Sequence, residues 1–476
     1  MPTELNEFLK LSYSELEELN LKAKEQRRKR VPVEQIREER LKYLAEEKRI
    51  KAVTVLFSDL EGRLHMLDYD KKFLIKSWDN LTFDGSSIRG FTAQKESDLR
   101  LGMDWGSFYW APADIFGAGK VMVFGEVIDK DGTPYAADMR AVLKSYAEEQ
   151  FKTNGYTLNA ANEVEGFLFN GVDAEQNYYK TQGFEYVSTG GYYHSLPGDT
   201  LRLFIDTAAE VQRAMGFENE KDHPEVAPSQ FEINFGYADV VTAADQIQLY
   251  KLICRQVATK MGLTACFLPK PVVGVNGSGM HTNVSVSKGG KNLFWDPQGE
   301  EKVSTFAWEF VDRILSTGND TCLAFNASVN AYRRLDPHFE APNQIKVSAV
   351  DRGSMVRIPL GNERSSRLEV RSVGPDANPY MVMVSVFKTG LEGAIADIPN
   401  LRQASRYLPD NIYDAITDFK NSEWTTKMFG QDVKDRYIEL KQSAADRCPR
   451  VLGTFVKTPE VQYHHAVYNQ FLWNMF

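Results

Sequence analysis

Four segments of this chain set ionisable or polar side chains on alternate residues within apolar runs, and this pattern restricts the fold more than any other feature. In Asn162-Glu163-Val164-Glu165-Gly166-Phe167-Leu168-Phe169 the two glutamates fall on one face of a strand. In Gln230-Phe231-Glu232-Ile233-Asn234-Phe235 the three polar residues share a face. His281, Asn283 and Ser285 do so in the strand-like run that begins at His281, and Arg367, Glu369 and Arg371 do so opposite the apolar pair Leu368 and Val370. Side-by-side carboxylates repel each other unless a cation or a proton lies between them. Singly, each segment also reads as a solvated face, an edge strand or a salt-bridged strand.

Other segments add to the same chemistry. Glu225, in His223-Pro224-Glu225-Val226-Ala227-Pro228-Ser229-Gln230, precedes a proline-containing turn that would fold it back toward Glu232. Gly274-Val275-Asn276-Gly277-Ser278-Gly279-Met280-His281 is a glycine-rich loop running into a strand, with neither the Lys-Ser/Thr of a Walker A loop nor the GxGxxG spacing. Its glycines permit close backbone approach to a ligand. Arg352, Arg357, Arg364, Arg367 and Arg371 crowd into one stretch, and arginine forks suit carboxylates and phosphates. Five acids (Glu163, Glu165, Glu225, Glu232, Glu369) with one imidazole (His281) suit hard divalent ions, Mg²⁺ or Mn²⁺, rather than zinc. Paired metals beside arginine clamps are what phosphoryl transfer from a nucleotide requires.

Composition narrows the setting. The 476 residues carry a formal charge of −9, 25% charged and 43% hydrophobic residues, which excludes a disordered chain and a basic nucleic-acid binder. Four scattered cysteines (Cys254, Cys266, Cys322, Cys448) form no CxxC pair and fit a reducing compartment. The N-terminus lacks an apolar signal region, and the longest apolar stretch, Leu263 to Val275, is interrupted by Thr264, Pro269, Lys270, Pro271 and Gly274. A cytoplasmic protein with no membrane partner is expected.

Hydrophobic spacing predicts a helix over 4–30, whose basic run Lys22–Arg30 reads as a solvated face or as a docking arm, and a second helix from Val33 to Glu47. Strands are expected at Ala52–Phe57, Leu64–Leu67 and Val121–Val127, making 46–137 a small β unit. Asp138 caps a helix reaching Phe151. Helices near 200–215, 242–261, 302–317, 380–396 and 431–447 then alternate with strands near 156–169, 228–236, 263–273, 282–287, 345–350, 354–360 and 366–373, an α+β unit with no internal repeat.

Six motifs in order carry a resemblance: Phe83-Asp84-Gly85-Ser86-Ser87-Ile88, the Glu163/Glu165 pair, Glu225-Val-Ala-Pro-Ser-Gln-Phe-Glu232, Asn276-Gly-Ser-Gly-Met-His281, Asn326-Ala-Ser-Val-Asn-Ala-Tyr-Arg-Arg334-Leu and Arg367-Leu-Glu369-Val-Arg371. From about residue 46 to about 447 the chain resembles the glutamine synthetase family, type I. The resemblance implies a β-grasp-like domain (46–137) and a catalytic domain with a curved antiparallel sheet and packed helices (138–476), which here ends in an aromatic tail and is preceded by the helical extension (1–45) that hydrophobic spacing predicts. It implies ATP-dependent phosphorylation of the glutamate side chain and displacement of phosphate by ammonia. It implies two or more Mg²⁺ or Mn²⁺ ions per site, with Glu165, Glu225 and Glu232 on one and Glu163, His281 and Glu369 on the other.

By the same resemblance, Arg334 and Arg371 bind the glutamate carboxylate, Asn276 and Gly277 its amino-acid end, and Arg352 and Arg357 the transferring phosphate. Ser285, Arg364 and Arg367 lie where ATP is contacted. Asp84 takes the proton of ammonium, with Ser87, Tyr192 and Glu225 completing that pocket, and Glu340 is the flap glutamate that shields the acyl phosphate. Asp84 comes from a neighbouring subunit in this family, so a dodecamer of two hexameric rings is implied, with a regulatory protein as a further candidate partner.

The chain departs from the family pattern at its first 45 residues, at Pro224 (usually a second histidine), at Asn283 (often histidine) and in the short stretch from Gly390 to Trp424. Tyr413 aligns with the later Leu-Pro-x-x-Leu segment rather than with an adenylylation site, so that regulation is not expected. The aromatic run Val461–Phe476 is expected to dock on another subunit. Two alternatives stand beside glutamine synthesis. One is ligation of glutamate to a small amine or polyamine, in which the ammonium pocket would be altered; the other is a non-catalytic homologue, which would have lost metal ligands.

Overall fold

The computed structural model describes residues 11–92, 97–181, 183–194 and 196–455, with side chains throughout except at 179 and 447–455. The tail expected to dock on a second subunit lies outside these residues. Helix α1 (Tyr13–Arg28) starts in a capping box between Ser12 and Glu15, and α2 (Val33–Glu46) follows Pro32. The basic run on α1 is not simply solvated. Lys24 pairs with Glu218 at 2.7 Å, and Arg27 reaches Asp104 and Asp245 at 3.6 and 3.5 Å. Asn20 is buried and clamps α1 to the main chain of Trp110 and Ala214. The extension therefore docks on its own chain: Arg27 completes a buried ion cluster, while Lys22, Arg28, Lys29 and Arg30 stay on the solvated face.

A five-stranded sheet follows, in the order β2-β1-β5-β4-β3: β1 (Ala52–Ser58), β2 (Leu64–Asp70), β3 (Thr82–Asp84), β4 (Asp98–Trp110) and β5 (Lys120–Ile128). β1 and β5 are parallel, so they need a crossover rather than a hairpin. The thirteen-residue β4 is absent from the sequence expectation. Gly102, Asp104 and Gly106 break its apolar pattern, and its pairing with β5 shifts register between Met103 and Phe108.

The second sheet has ten strands: β6 (Tyr156–Asn170), β7 (Asn219–Pro224), β8 (Gln230–Phe235), β9 (Ala238–Asp239), β10 (Leu263–Cys266), β11 (Met280–Lys288), β12 (Lys291–Asn292), β13 (Gln344–Ser348), β14 (Ser354–Arg357) and β15 (Leu368–Val370). Its main path is β13-β14-β15-β11-β6-β8-β7, antiparallel except for β13 with β14. The strand expected to run to 273 stops at Cys266, since Pro269 and Pro271 cannot donate to a ladder.

Helices α3 (Met139–Asn154), α4 (Thr200–Ala214), α5 (Val240–Lys260) and α6 (Pro379–Glu392) pack behind this sheet. They are capped by Asp138, Asp199, Asp239 and Asn378, each accepting main-chain N–H bonds. Between them, Arg140 is fully buried and donates to both oxygens of Asp245 at 2.7 Å and to Asp104 at 2.8 Å, while Tyr380 also donates to Asp245. One ion cluster thus joins α1, β4, α3, α5 and α6. Tyr413 lies in the first turn of the helix Ile412–Asn421, with its hydroxyl donating to the Ala445 carbonyl. Among the described residues no helix is long and apolar enough to cross a membrane.

Candidate active site and metal centre

Cross-strand register gathers the charged positions. Glu163 on β6 faces His281 on β11, and Glu165 faces Glu232 on β8, which in turn faces His223 on β7. On the other side, Asn283 faces Glu369 on β15, which faces Arg357 on β14. Since side chains alternate along each strand, these residues line one face of the sheet.

Two groups result, each with its donor atoms within 4.8 Å of one another: Glu163, His281 and Glu369, and His223, Glu225 and Glu232. In the first, His281 Nδ1 lies 3.6 Å from both Glu163 and Glu369. In the second, His223 Nδ1 and Nε2 lie 3.6 Å from Glu225 and Glu232. Glu165 stands between the groups, 4.0 Å from His281 Nε2, with its other oxygen accepting the Gly279 N–H at 2.6 Å. The second trio therefore closes around His223, a residue that was not singled out in the sequence, with Glu165 beside it.

The electrostatics mark a site short of positive charge. Burial, and then Glu165, push the Glu225 carboxyl up to about 8. Burial, with Glu165, Glu163 and Glu225 nearby, holds Glu232 far above the ordinary carboxylate range. Burial lowers His223, favouring the neutral imidazole that can ligate a metal. Glu163 goes the other way: burial would raise it, but His281 and Asn283 outweigh that and take it down to about 2. Buried carboxylates with two imidazoles form a donor set fitting hard divalent cations.

Arginines border the first group. Glu369 is fully buried and gripped by Arg357 at 2.5 Å and by Arg371 at 2.6 Å. Arg334, also buried, donates to the carbonyls of Val373 and Arg371, and burial lowers its guanidinium to about 10. Arg367 donates to Asn283 at 2.9 Å, Ser285 is half-buried two residues farther along β11, and Arg364 is exposed.

The glycine-rich loop lies against this row. A Cβ on Gly277 would sit 2.4 Å from the Pro269 carbonyl, and one on Gly279 would sit 2.6 Å from Arg334 Nη2 and 2.8 Å from His281 Nε2. Asn276 donates to Glu340 at 3.2 Å, and Arg352 lies 3.7 Å from the same carboxylate. Glu340 adopts a left-handed backbone, φ 61°, uncommon for a residue with a side chain. Tyr192 is exposed, stacked on Tyr193, with its ring nearly perpendicular to that of His223. Asp84 and Ser87 are not on this sheet. They lie at the edge strand β3 of the other sheet and in the turn after it, where Asp84 accepts from Ser86 N and Oγ at 2.8 and 2.6 Å.

Comparison with known families decides the lineage. A family model described as the glutamine synthetase β-grasp domain matches residues 49–130, and one described as the glutamine synthetase catalytic domain matches residues 136–452. The chain belongs to the glutamine synthetase family. Among its relatives, glutamine synthetase of Staphylococcus aureus (strain Mu50) is 35% identical over 435 residues, covering 86% of this chain and 95% of the relative. That of Methanosarcina mazei is 34% identical over 429 residues, covering 85% and 93%. The cryo-EM structure of Plasmodium falciparum glutamine synthetase has the same fold, with a TM-score of 0.77 at 20% identity over 90% of this chain and 98% of that one. Helices α1 and α2 precede both matched regions of this glutamine synthetase family member.

Proposed function

We propose that this enzyme ligates ammonia to the side-chain carboxylate of L-glutamate, with ATP giving ADP and phosphate. The observation that carries this reading is the pair of buried acid–imidazole groups on one sheet face, bordered by Arg334, Arg357 and Arg371. Bound at those groups, Mg²⁺ or Mn²⁺ supplies positive charge to the nucleotide phosphates and the transferring phosphoryl group.

The chain's own residues do the rest. Ser285, Arg364 and Arg367 hold ATP. Asn276, Gly277, Arg334 and Arg371 hold glutamate, so that its side-chain oxygen attacks the γ-phosphorus and ADP leaves. Arg352 and Arg357 hold the phosphoryl oxygens. The carboxylate of Asp84, from a neighbouring copy, takes a proton from ammonium in a pocket completed by Ser87, Tyr192 and Glu225. The freed amine attacks the acyl carbon, and phosphate departs. Glu340 closes over the acyl phosphate and keeps water out. We infer a cytoplasmic homo-oligomer, two stacked hexameric rings, built from an extension (1–45), a β-grasp domain (46–137) and a catalytic domain (138–476).

The test is phosphate release from ATP and glutamate across a panel of ammonia, methylamine, ethanolamine and polyamines. Ammonia is expected to be the preferred acceptor. Preference for any other amine would replace this reading with a γ-glutamyl-amine ligase.

A further inference from the structure

Lys270 is a buried cation that the reaction scheme above does not use. It lies between two prolines after β10, and its main chain is held on both sides by Asn330: the Lys270 N–H donates to Asn330 Oδ1 at 2.6 Å, and Asn330 Nδ2 donates to the Lys270 carbonyl at 2.9 Å. From this fixed base the ammonium reaches two loops. Its Nζ donates to the carbonyl of Val275, and it sits 3.8 Å from the centroid of the Phe339 ring. A cation at that distance from an aromatic face is held by the ring's quadrupole, more strongly where water is excluded.

The placement of the two contacts is what matters. Val275 immediately precedes Asn276 and Gly277, and Phe339 immediately precedes Glu340. The loops also meet directly, through Asn276 Nδ2 and the Glu340 carboxylate at 3.2 Å. The glycine-rich loop is anchored from the same segment, since Ser278 N donates to the Pro269 carbonyl at 2.7 Å. On its other side the Glu340 segment meets Arg371, whose Nη2 donates to the Glu340 carbonyl at 3.5 Å, and Arg352, 3.7 Å from the carboxylate; its helical turn spans only Pro337–Phe339, and Glu340 stands in the left-handed region.

We propose that Lys270 is a positioning residue, a clip whose ammonium holds the loop of Asn276 and Gly277 against the segment of Glu340, so that binding of the amino acid and closure over the acyl phosphate are one event. This rests on the ligase reading given above. Loss of the clip would leave the site able to form the acyl phosphate but poorly able to keep water from it.

The experiment measures phosphate released per ligated product, and KM for glutamate, in the full-length enzyme and in Lys270→Met, Phe339→Leu and the double variant. The acceptor is whichever amine the unaltered enzyme prefers. The unaltered enzyme is expected to release about one phosphate per product, and each single variant about two or more, with KM for glutamate up about tenfold. The double variant is expected to be no worse than the worse single, since both changes break one contact. A variant that merely loosened the fold would lower the melting temperature and the rate together and leave the phosphate-to-product ratio at one; that result, or additive effects in the double variant, would overturn the clip. If Lys270→Met does not fold, Phe339→Leu alone decides by the same ratio. An unaltered enzyme that ligates no amine would instead refute the ligase reading, and the clip with it.

Discussion

Replacing Gly279 by alanine is the sharpest test of the site's geometry. Gly279 is not in the left-handed region, so alanine is allowed there by its backbone, and any effect comes from the added methyl group. That methyl would lie 2.6 Å from Arg334 Nη2, 2.8 Å from His281 Nε2 and 3.0 Å from His281 Cδ2. Relief to ordinary contact requires a shift of roughly 0.8 Å. Neither neighbour has room: both are buried, Arg334 is tied to two carbonyls, and His281 lies between Glu163 and Glu369. Overpacking of this kind costs about 1–3 kcal/mol in stability, partly offset by about 0.4–1 kcal/mol from the stiffer unfolded chain. A misplacement approaching 1 Å at a substrate-positioning residue lowers turnover by up to about a hundredfold. We therefore expect Gly279→Ala to fold, with kcat/KM for glutamate down by about 10- to 100-fold. Gly236→Ala serves as the control, since its methyl would meet nothing closer than 3.4 Å. Steady-state kinetics beside thermal unfolding of both variants make the comparison. Full activity in Gly279→Ala would mean that Arg334 and His281 do not need the positions seen here.

Three further outcomes follow from the same structure. Glu225, raised to about 8, binds its proton more tightly in the fold than in the unfolded chain, so its stabilising effect is complete below the ordinary carboxylate range and fades as pH rises through about 8. Glu163, held at about 2, changes its contribution only below pH 4–5 and adds no slope in that window. The melting temperature of chelator-treated enzyme should thus fall between about pH 6 and 8, and Mg²⁺ should remove the slope; equal slopes with and without Mg²⁺ would count against cation binding at Glu225. Arg140→Met should cost about 3 kcal/mol in urea unfolding, because Asp245 and Asp104 stay buried with only the longer contacts of Arg27 and, for Asp104, Lys144, and an unchanged midpoint would refute the ion cluster's structural role. Mixed oligomers of Asp84→Ala and Glu232→Gln chains, each inactive alone, should regain activity at up to about a quarter of the sites if Asp84 serves a neighbour, and none if each chain serves itself.

The candidate site's face was legible in the sequence wherever it depended on alternation within one strand. Glu163 with Glu165, Glu232 with Asn234 and His281 with Asn283 each announce their shared face within a few residues, because period two is a local property. What alternation cannot reveal is which strand lies beside which. The partner of Glu232 is His223, and that pairing exists only because β7 runs against β8. No strand is expected from sequence over 219–224, yet proline is tolerated at a strand's final residue, where its carbonyl accepts from the Tyr193 N–H. The same limit hid β4. Asp104 looks like an interruption in sequence, whereas in the fold it is a buried anion answered by Arg140 from α3, Lys144 one turn later and Arg27 from α1. A charge inside an apolar run thus has two meanings that local reading cannot separate, a break in the element or half of a buried pair. The difference lies in whether a distant segment brings the opposite charge. Arg27 was the missing half for Asp104 and Asp245, and it stood in the one run of the chain that composition most strongly assigned to solvent.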